Sequence, residues 1–365
     1  MSARMKLAAV FCGLAVASLP QLGRAQTESL NPLPPPPLLP QTSPAPGEPT
    51  VEGQTVAERA RPEVDPLGLR AGDFFFYPRA ELDESFNDNI FATSSHQTGD
   101  FLTTFAPSFD ILSNLPTNGI NFHGGAAIGA YASHSEMNFQ DAYGAVDGHL
   151  DVTALNQIYG GLRAQQLHED PGSVEFPGNA REPVLYHEYT ANIGNKQTGT
   201  ILGYRADASV TRQEFEKVPA TGGGFVFQSD RNATIYDGAL EGNYELVPGN
   251  QIYLRGEGNY RAYDHAAGNG IPIRTSNGFR VDVGTRIDLT GVTFVDGYIG
   301  YLEQNYEASP LGSISGLDFG GHLIWNVTTL DTVTFHVERS VQDVDSEISQ
   351  ALGVSYALSP GYLHT

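Results

Sequence analysis

Pairs of opposite charge stand two residues apart along the chain, among them Arg205 with Asp207, Arg255 with Glu257, Arg280 with Asp282, and Arg286 with Asp288. In an extended strand, positions i and i+2 share a face. Each pair therefore puts a guanidinium beside a carboxylate on one side of a sheet, where both can meet charges on neighbouring strands. Glu241, Glu245 and Arg261 occupy the same alternating positions in their own segments. Gathered on an enclosed face, such ladders order water and select solutes by charge and size, or they merely satisfy one another in a wet interior. Tyr253 and Tyr263 share the face of Arg255 and Arg261. There a ring either stacks on a sugar or belongs to an interfacial aromatic girdle.

Other chemistry finds less support. His134-Ser135 and His187-Glu188 place a base beside a second polar group, as an activated nucleophile requires, but neighbours in a strand point to opposite faces. Asp83, Glu84, Asp88 and Asn89 offer oxygen ligands near a strand end without the spacing of a defined calcium loop. The ten histidines show no His-Glu-x-x-His or cysteine-based spacing, so no metal, cofactor or catalytic centre is expected. Gly222 to Gly224 are not followed by the Lys and helix of a phosphate cradle and read as a flexible outer loop.

The elements that must carry the ladders alternate with period two. From Ile252 to Tyr263 the even positions are Ile, Leu, Gly, Gly, Tyr and Ala, and the odd ones Tyr, Arg, Glu, Asn, Arg and Tyr. Phe279 to Leu289 and Leu202 to Thr211 repeat the pattern. These runs are of membrane-spanning length, longer than the roughly five or six residues of ordinary strands. Fourteen strands are expected, starting near residues 74, 100, 120, 138, 157, 185, 200, 232, 251, 278, 292, 316, 331 and 346. Short turns at 154–157, 195–199, 247–250, 289–291 and 327–331 alternate with longer loops at 87–99, 169–184, 216–230, 264–277 and 305–315. A transmembrane barrel sorts its connections this way, with short turns on the periplasmic side. The connections at 133–137 and 342–346 are shorter than that rule predicts. No apolar run outside the first residues is long enough for a spanning helix.

Composition agrees. The 365 residues carry 42 acidic against 20 basic side chains, a net charge of −22, which argues against a nucleic-acid partner. Seventeen Tyr, 19 Phe and 41 Gly favour strands and turns. Arg4 and Lys6 precede the apolar run Leu7 to Leu19, and Gly23-Arg24-Ala25 follows, so residues 1–25 read as a secretory signal. Its removal takes away Cys12, the single cysteine, and stability must come from backbone pairing rather than disulfides. Residues 26–72 hold 11 of the 23 prolines and read as a disordered periplasmic linker, either a spacer or a docking segment for an aromatic groove. Residues 73–365 form the barrel, all-β, antiparallel and up-and-down, set in outer-membrane lipid. The ending Ser359-Pro360-Gly361-Tyr362-Leu363-His364-Thr365 reads as a turn into a further strand; about 14 strands are visible, or 16–18 in all if C-terminal strands are missing.

Two segments carry a family resemblance. Arg79 to Phe91 (RAELDESFNDNIF) and Val295 to Tyr306 (VDGYIGYLEQNY) resemble the opening and a late strand of outer-membrane β-barrel porins often encoded beside exopolysaccharide genes. The similarity covers residues 74 to 358. It implies a channel that exports polysaccharide alongside periplasmic export and co-polymerase proteins, with no catalytic motif. A non-conducting structural or adhesive barrel is the alternative.

Overall fold

The computed structural model describes residues 54–55, 66–173, 175–199, 201–266, 272–308, 311–343 and 348–360, with side chains described as far as 339. The signal, most of the proline-rich linker and residues 361–365 lie outside them. The strands are β1 (Leu69–Ala71), β2 (Phe74–Asn87), β3 (Asp100–Ser113), β4 (Asn118–Tyr131), β5 (Phe139–Thr153), β6 (Asn156–Glu169), β7 (Val184–Gln197), β8 (Leu202–Phe215), β9 (Val218–Pro219), β10 (Phe225–Val226), β11 (Ala233–Val247), β12 (Asn250–Tyr263), β13 (Ser276–Asp288), β14 (Thr293–Tyr306), β15 (Ser313–Asn326), β16 (Asp331–Asp343) and β17 (Ile348–Pro360). Every long strand expected from the alternation is present. The largest offset is the strand expected from 316, which begins at Ser313.

All but β9 and β10 join one antiparallel sheet, each strand paired with its neighbours in chain order. β9 and β10 form a separate two-stranded ribbon inside the connection from β8 to β11. Gly222 to Gly224 turn that ribbon, and Gly223 and Gly224 adopt φ of +88° and +80°, a region closed to most residues. Among the described residues the ladder runs from β1 to β17 with no pairing that joins its two ends. The long strands have 13 to 15 residues, more than the about 9–11 needed to cross a bilayer.

Connections alternate as expected. Residues 154–155, 248–249, 289–292 and 327–330 make tight turns at one end, and 88–99, 170–183, 216–232 and 264–275 make long loops at the other. Of the two short loop-end connections, the one at 132–138 is present, where Ser135–Met137 forms a 3-10 turn; residues 344–347 lie outside the described residues.

The sheet's two faces are inverted relative to a water-soluble protein. On β12, Ile252, Leu254 and Tyr260 are 43%, 59% and 40% exposed, while Tyr253, Arg255 and Arg261 between them are 3%, 8% and 3% exposed. The same inversion holds on β13, where Val281 and Val283 face out and Arg280 and Asp282 are buried. Water would penalise this arrangement; a bilayer requires it. Outward aromatics fall in two bands. Tyr236 and Tyr260 stack at 6.4 Å near the loop end, while Tyr204, Tyr244 and Trp325 lie toward the turn end. Such girdles mark the two interfaces of a membrane barrel.

Candidate functional site: the charged inward face

Register fixes which charges meet. Arg205, Asp207, Glu241, Glu245, Arg255, Glu257, Arg261, Arg280, Asp282, Arg286 and Asp288 all sit on the face opposite the exposed apolar residues. Most of them gather into layers along that face.

Toward the turn end, Arg286 makes a bidentate pair with Glu241 at 2.7 and 2.9 Å and a further bond to Asp296 at 3.1 Å. Tyr253 donates its hydroxyl to Asp296 at 2.8 Å, and the Arg286 guanidinium lies 4.3 Å from the Tyr253 ring centre. Arg205 binds Asp207 at 2.7 Å, and Tyr159 donates to the same carboxylate. In both clusters the tyrosine reaches across a glycine on the intervening strand, Gly284 for Tyr253 and Gly194 for Tyr159. A Cβ at either glycine would collide with the ring.

In the middle layer Arg255 contacts Glu257 at 3.2 Å and Asp282 at 3.3 Å. Arg280 contacts Glu257 at 2.6 Å and Asp318 at 3.5 Å. Asp282 and Asp318 flank Gly300 in one rung of the sheet. The Arg280–Asp318 contact skips β14, as side chains can on the concave side of a curved sheet.

The loop end carries an assembly that sequence reasoning missed. Arg231 forks onto Glu169 at 2.7 and 3.0 Å and touches Glu175 at 3.2 Å, and Glu175 accepts from Arg274 at 2.6 Å. The two guanidiniums lie over inward rings, Arg231 4.0 Å from Phe215 and Arg274 4.6 Å from Tyr263. Three separate loops are thereby tied to the inward face.

Two of the expected ladder residues do other work. Glu245 accepts the Gly249 amide, and Asp288 accepts the amides of Thr290 and Gly291. Both cap turns instead of joining a charge layer. Arg261 is buried on the shared face. Tyr253 and Tyr263 are buried inward, not in the girdle, and each has a guanidinium over its ring. Asp296 and Asp318, absent from the expected set, complete the Arg286 and Arg280 clusters; their inward alternation with Val295 and Leu317 was the available signal.

The remaining candidates disperse. His134 bonds Asp100 at 2.9 Å, with Ser135 starting the 3-10 turn. His187 pairs with Glu216 while Glu188 turns inward to Gln165 and Gln213. Of the acidic cluster, Glu84 accepts from Thr103, and Asn89 brackets Thr93. At the turn end a cavity of about 240 Å³ is bounded by Gln251, Arg286, Phe294, Asp296, His322 and Ile324. Nearby, Asn326 donates to the Gln54 carbonyl at 3.0 Å and accepts from Thr332.

A family model described as "Putative beta-barrel porin 2" matches residues 61–358. The chain belongs to this family. Among solved structures, the porin is similar to the copper transporter OprC, with 10% identity and a TM-score of 0.42 over 78% of this chain and 53% of the transporter. It thus spans about half of that protein's length. A bacterial polysaccharide outer membrane secretin matches at 11% identity and a TM-score of 0.41, covering 78% of this chain and 98% of the secretin. The toluene transporter TodX of P. putida matches at 9% identity and a TM-score of 0.35, covering 80% and 90%. No curated protein matches the sequence.

Proposed function

We propose that this outer-membrane porin is a channel that passes exopolysaccharide through a polar, charged lumen lined by the arginine, carboxylate and tyrosine layers. The observation that carries the reading is the inversion of exposure, with Leu254 turned outward at 59% and Arg255 inward at 8%. Charge is held where an aqueous path would run, not where lipid lies. The polysaccharide assignment draws on the resemblance of residues 79–91 and 295–306 to porins encoded beside exopolysaccharide genes. In that setting its partners are outer-membrane lipid, the polymer, and periplasmic export and co-polymerase proteins.

A non-conducting structural or adhesive barrel is the second reading. The buried Glu169, Arg231, Glu175 and Arg274 assembly favours it, because it draws three loops inward at one end. Conductance of the refolded chain in planar bilayers, with neutral oligosaccharides added, separates the two. Steady conductance blocked by the sugars supports export. A folded, heat-modifiable barrel that does not conduct supports the structural role.

A further inference from the structure

The inward face handles its carboxylates differently on its two sides. On β12 to β15, Glu257, Asp282 and Asp318 are met by guanidiniums, and the layer is sealed, with side-chain exposure of 2% at Arg280 and 0% at both aspartates. Two guanidiniums, Arg255 and Arg280, offset all but one of these three charges and so weaken the field the layer projects.

On β3 to β7, apart from Glu169 at the loop end, which Arg231 holds, the partners are imidazoles and amides. His123 lies between Asp110 and Asp147, with Nδ1 2.6 Å from the first and Nε2 2.8 Å from the second. Asn121 donates to Asp147 at 3.1 Å. Asp141 holds Nδ1 of His168 at 2.9 Å. Glu188 is bonded by the amides of Gln165 and Gln213 at 2.6 and 3.1 Å. An amide leaves the whole negative charge in place, and one imidazolium neutralises at most one of two carboxylates. The strand's own arginine, Arg163, turns to Gln165 and lies 5.2 Å from the Tyr143 ring centre. Two of these carboxylates also remain open, Asp110 at 42% exposure and Asp141 at 20%, while Asp147 is 13% exposed.

We propose that the pore is cation-selective, that the acidic wall of Asp110, Asp141, Asp147 and Glu188 sets the selectivity, and that the polymer it passes is neutral or cationic rather than densely anionic. The inference rests on the channel reading above. Rings of carboxylate select cations in channels generally, and a low-dielectric wall focuses their field on the aqueous path. The effect reaches about 8 Å at physiological ionic strength and shrinks as salt rises.

The test is the reversal potential of the full chain in planar bilayers under a KCl gradient, for the native sequence and for Asp110→Asn and Glu188→Gln. Asp110 is partly exposed and Glu188 has only amide partners, so neither substitution strands a buried cation. A reversal potential of the sign set by potassium, moved toward zero by each substitution and by higher salt, supports the proposal. Conductance with no cation preference, or cation preference unmoved in both folded variants, overturns it and leaves the channel reading intact. A folded barrel that does not conduct overturns both.

Discussion

The hydroxyl of Tyr253 donates to Asp296 at 2.8 Å although the two residues sit on strands that do not touch, with β13 between them. The rung that separates them carries Gly284 opposite Tyr253, and the phenol ring lies flat over the space a side chain would fill. Tyr159, Gly194 and Asp207 repeat the arrangement on β6, β7 and β8. Each cluster ends in an arginine, Arg286 or Arg205, bonded to the same aspartate. The glycine therefore decides whether a tyrosine can bind two strands away.

Gly284→Val tests this relationship. The new Cβ meets the Tyr253 ring on one side and the Gly297 carbonyl on the other, so the ring must swing away from Asp296. Overpacking of this kind costs about 1–3 kcal/mol. Tyr253→Phe loses only a hydrogen bond to a charged acceptor, about 1.5–3 kcal/mol. Urea unfolding of the refolded barrel should place both variants below the native midpoint, and the double variant should lose less than the sum, since both remove the same bond.

Arg280 is the cation of the middle layer with the most carboxylates around it, reaching Glu257, Asp282 and Asp318. Arg280→Met keeps much of the side-chain volume and strands buried negative charge, a change that costs about 3–5 kcal/mol. Val281→Leu, one residue on and facing lipid at 47% exposure, should shift the midpoint by far less. Equal losses in the two variants, read by tryptophan fluorescence of Trp325 during unfolding, would overturn the ranking.

The strands were legible because period-two alternation over a dozen residues has few competing explanations; β12 shows its inward and outward sets in the sequence as clearly as in the structure. The partners of its charges were not. Whether Arg286 meets Glu241, and Arg280 meets Asp318, depends on register across two ladders, which alternation alone leaves free by steps of two. Glu245 and Asp288 were placed on the correct face, but their positions at strand ends bring them to unpaired turn amides before any arginine. The Arg231 and Arg274 contacts were invisible, since loops have no periodicity and Glu175 lies 99 positions from Arg274.

Asp264, just beyond β12, accepts both terminal nitrogens of Arg212 at 2.9 and 2.7 Å. Hydrogen bonding to that guanidinium holds its carboxyl below the usual aspartate range. A depressed folded value means the pair contributes fully above the unfolded value of about 3.9 and fades as pH falls through the lower folded one. Asp264 is about one-third exposed, so the contribution is at most about 1 kcal/mol. Hydrogen exchange at the Asp264 amide, which donates to Asn232, should quicken relative to its intrinsic rate when pH drops from 5 to about 3. In Arg212→Ala the exchange should already be fast at pH 5, with no further relative change on acidification.

Glu175 links Arg231 and Arg274, and so couples the loop at 170–183 to those at 216–232 and 264–275. Arg231, Glu169 and Arg274 are 3%, 3% and 5% exposed at their side chains, so salt screens this chain weakly. Glu175→Gln removes the shared charge while keeping the side chain's shape. Arg274 then loses a charge-assisted hydrogen bond of about 1.5–3 kcal/mol and Arg231 an ion contact, and the loops should open independently. Trypsin cleavage after Arg274 should accelerate several-fold in the variant, with the barrel still heat-modifiable. Raising salt to 0.5 M should leave native cleavage nearly unchanged. If native cleavage rose with salt to the rate of the variant, the three loops would be held by exposed charge instead of this buried chain.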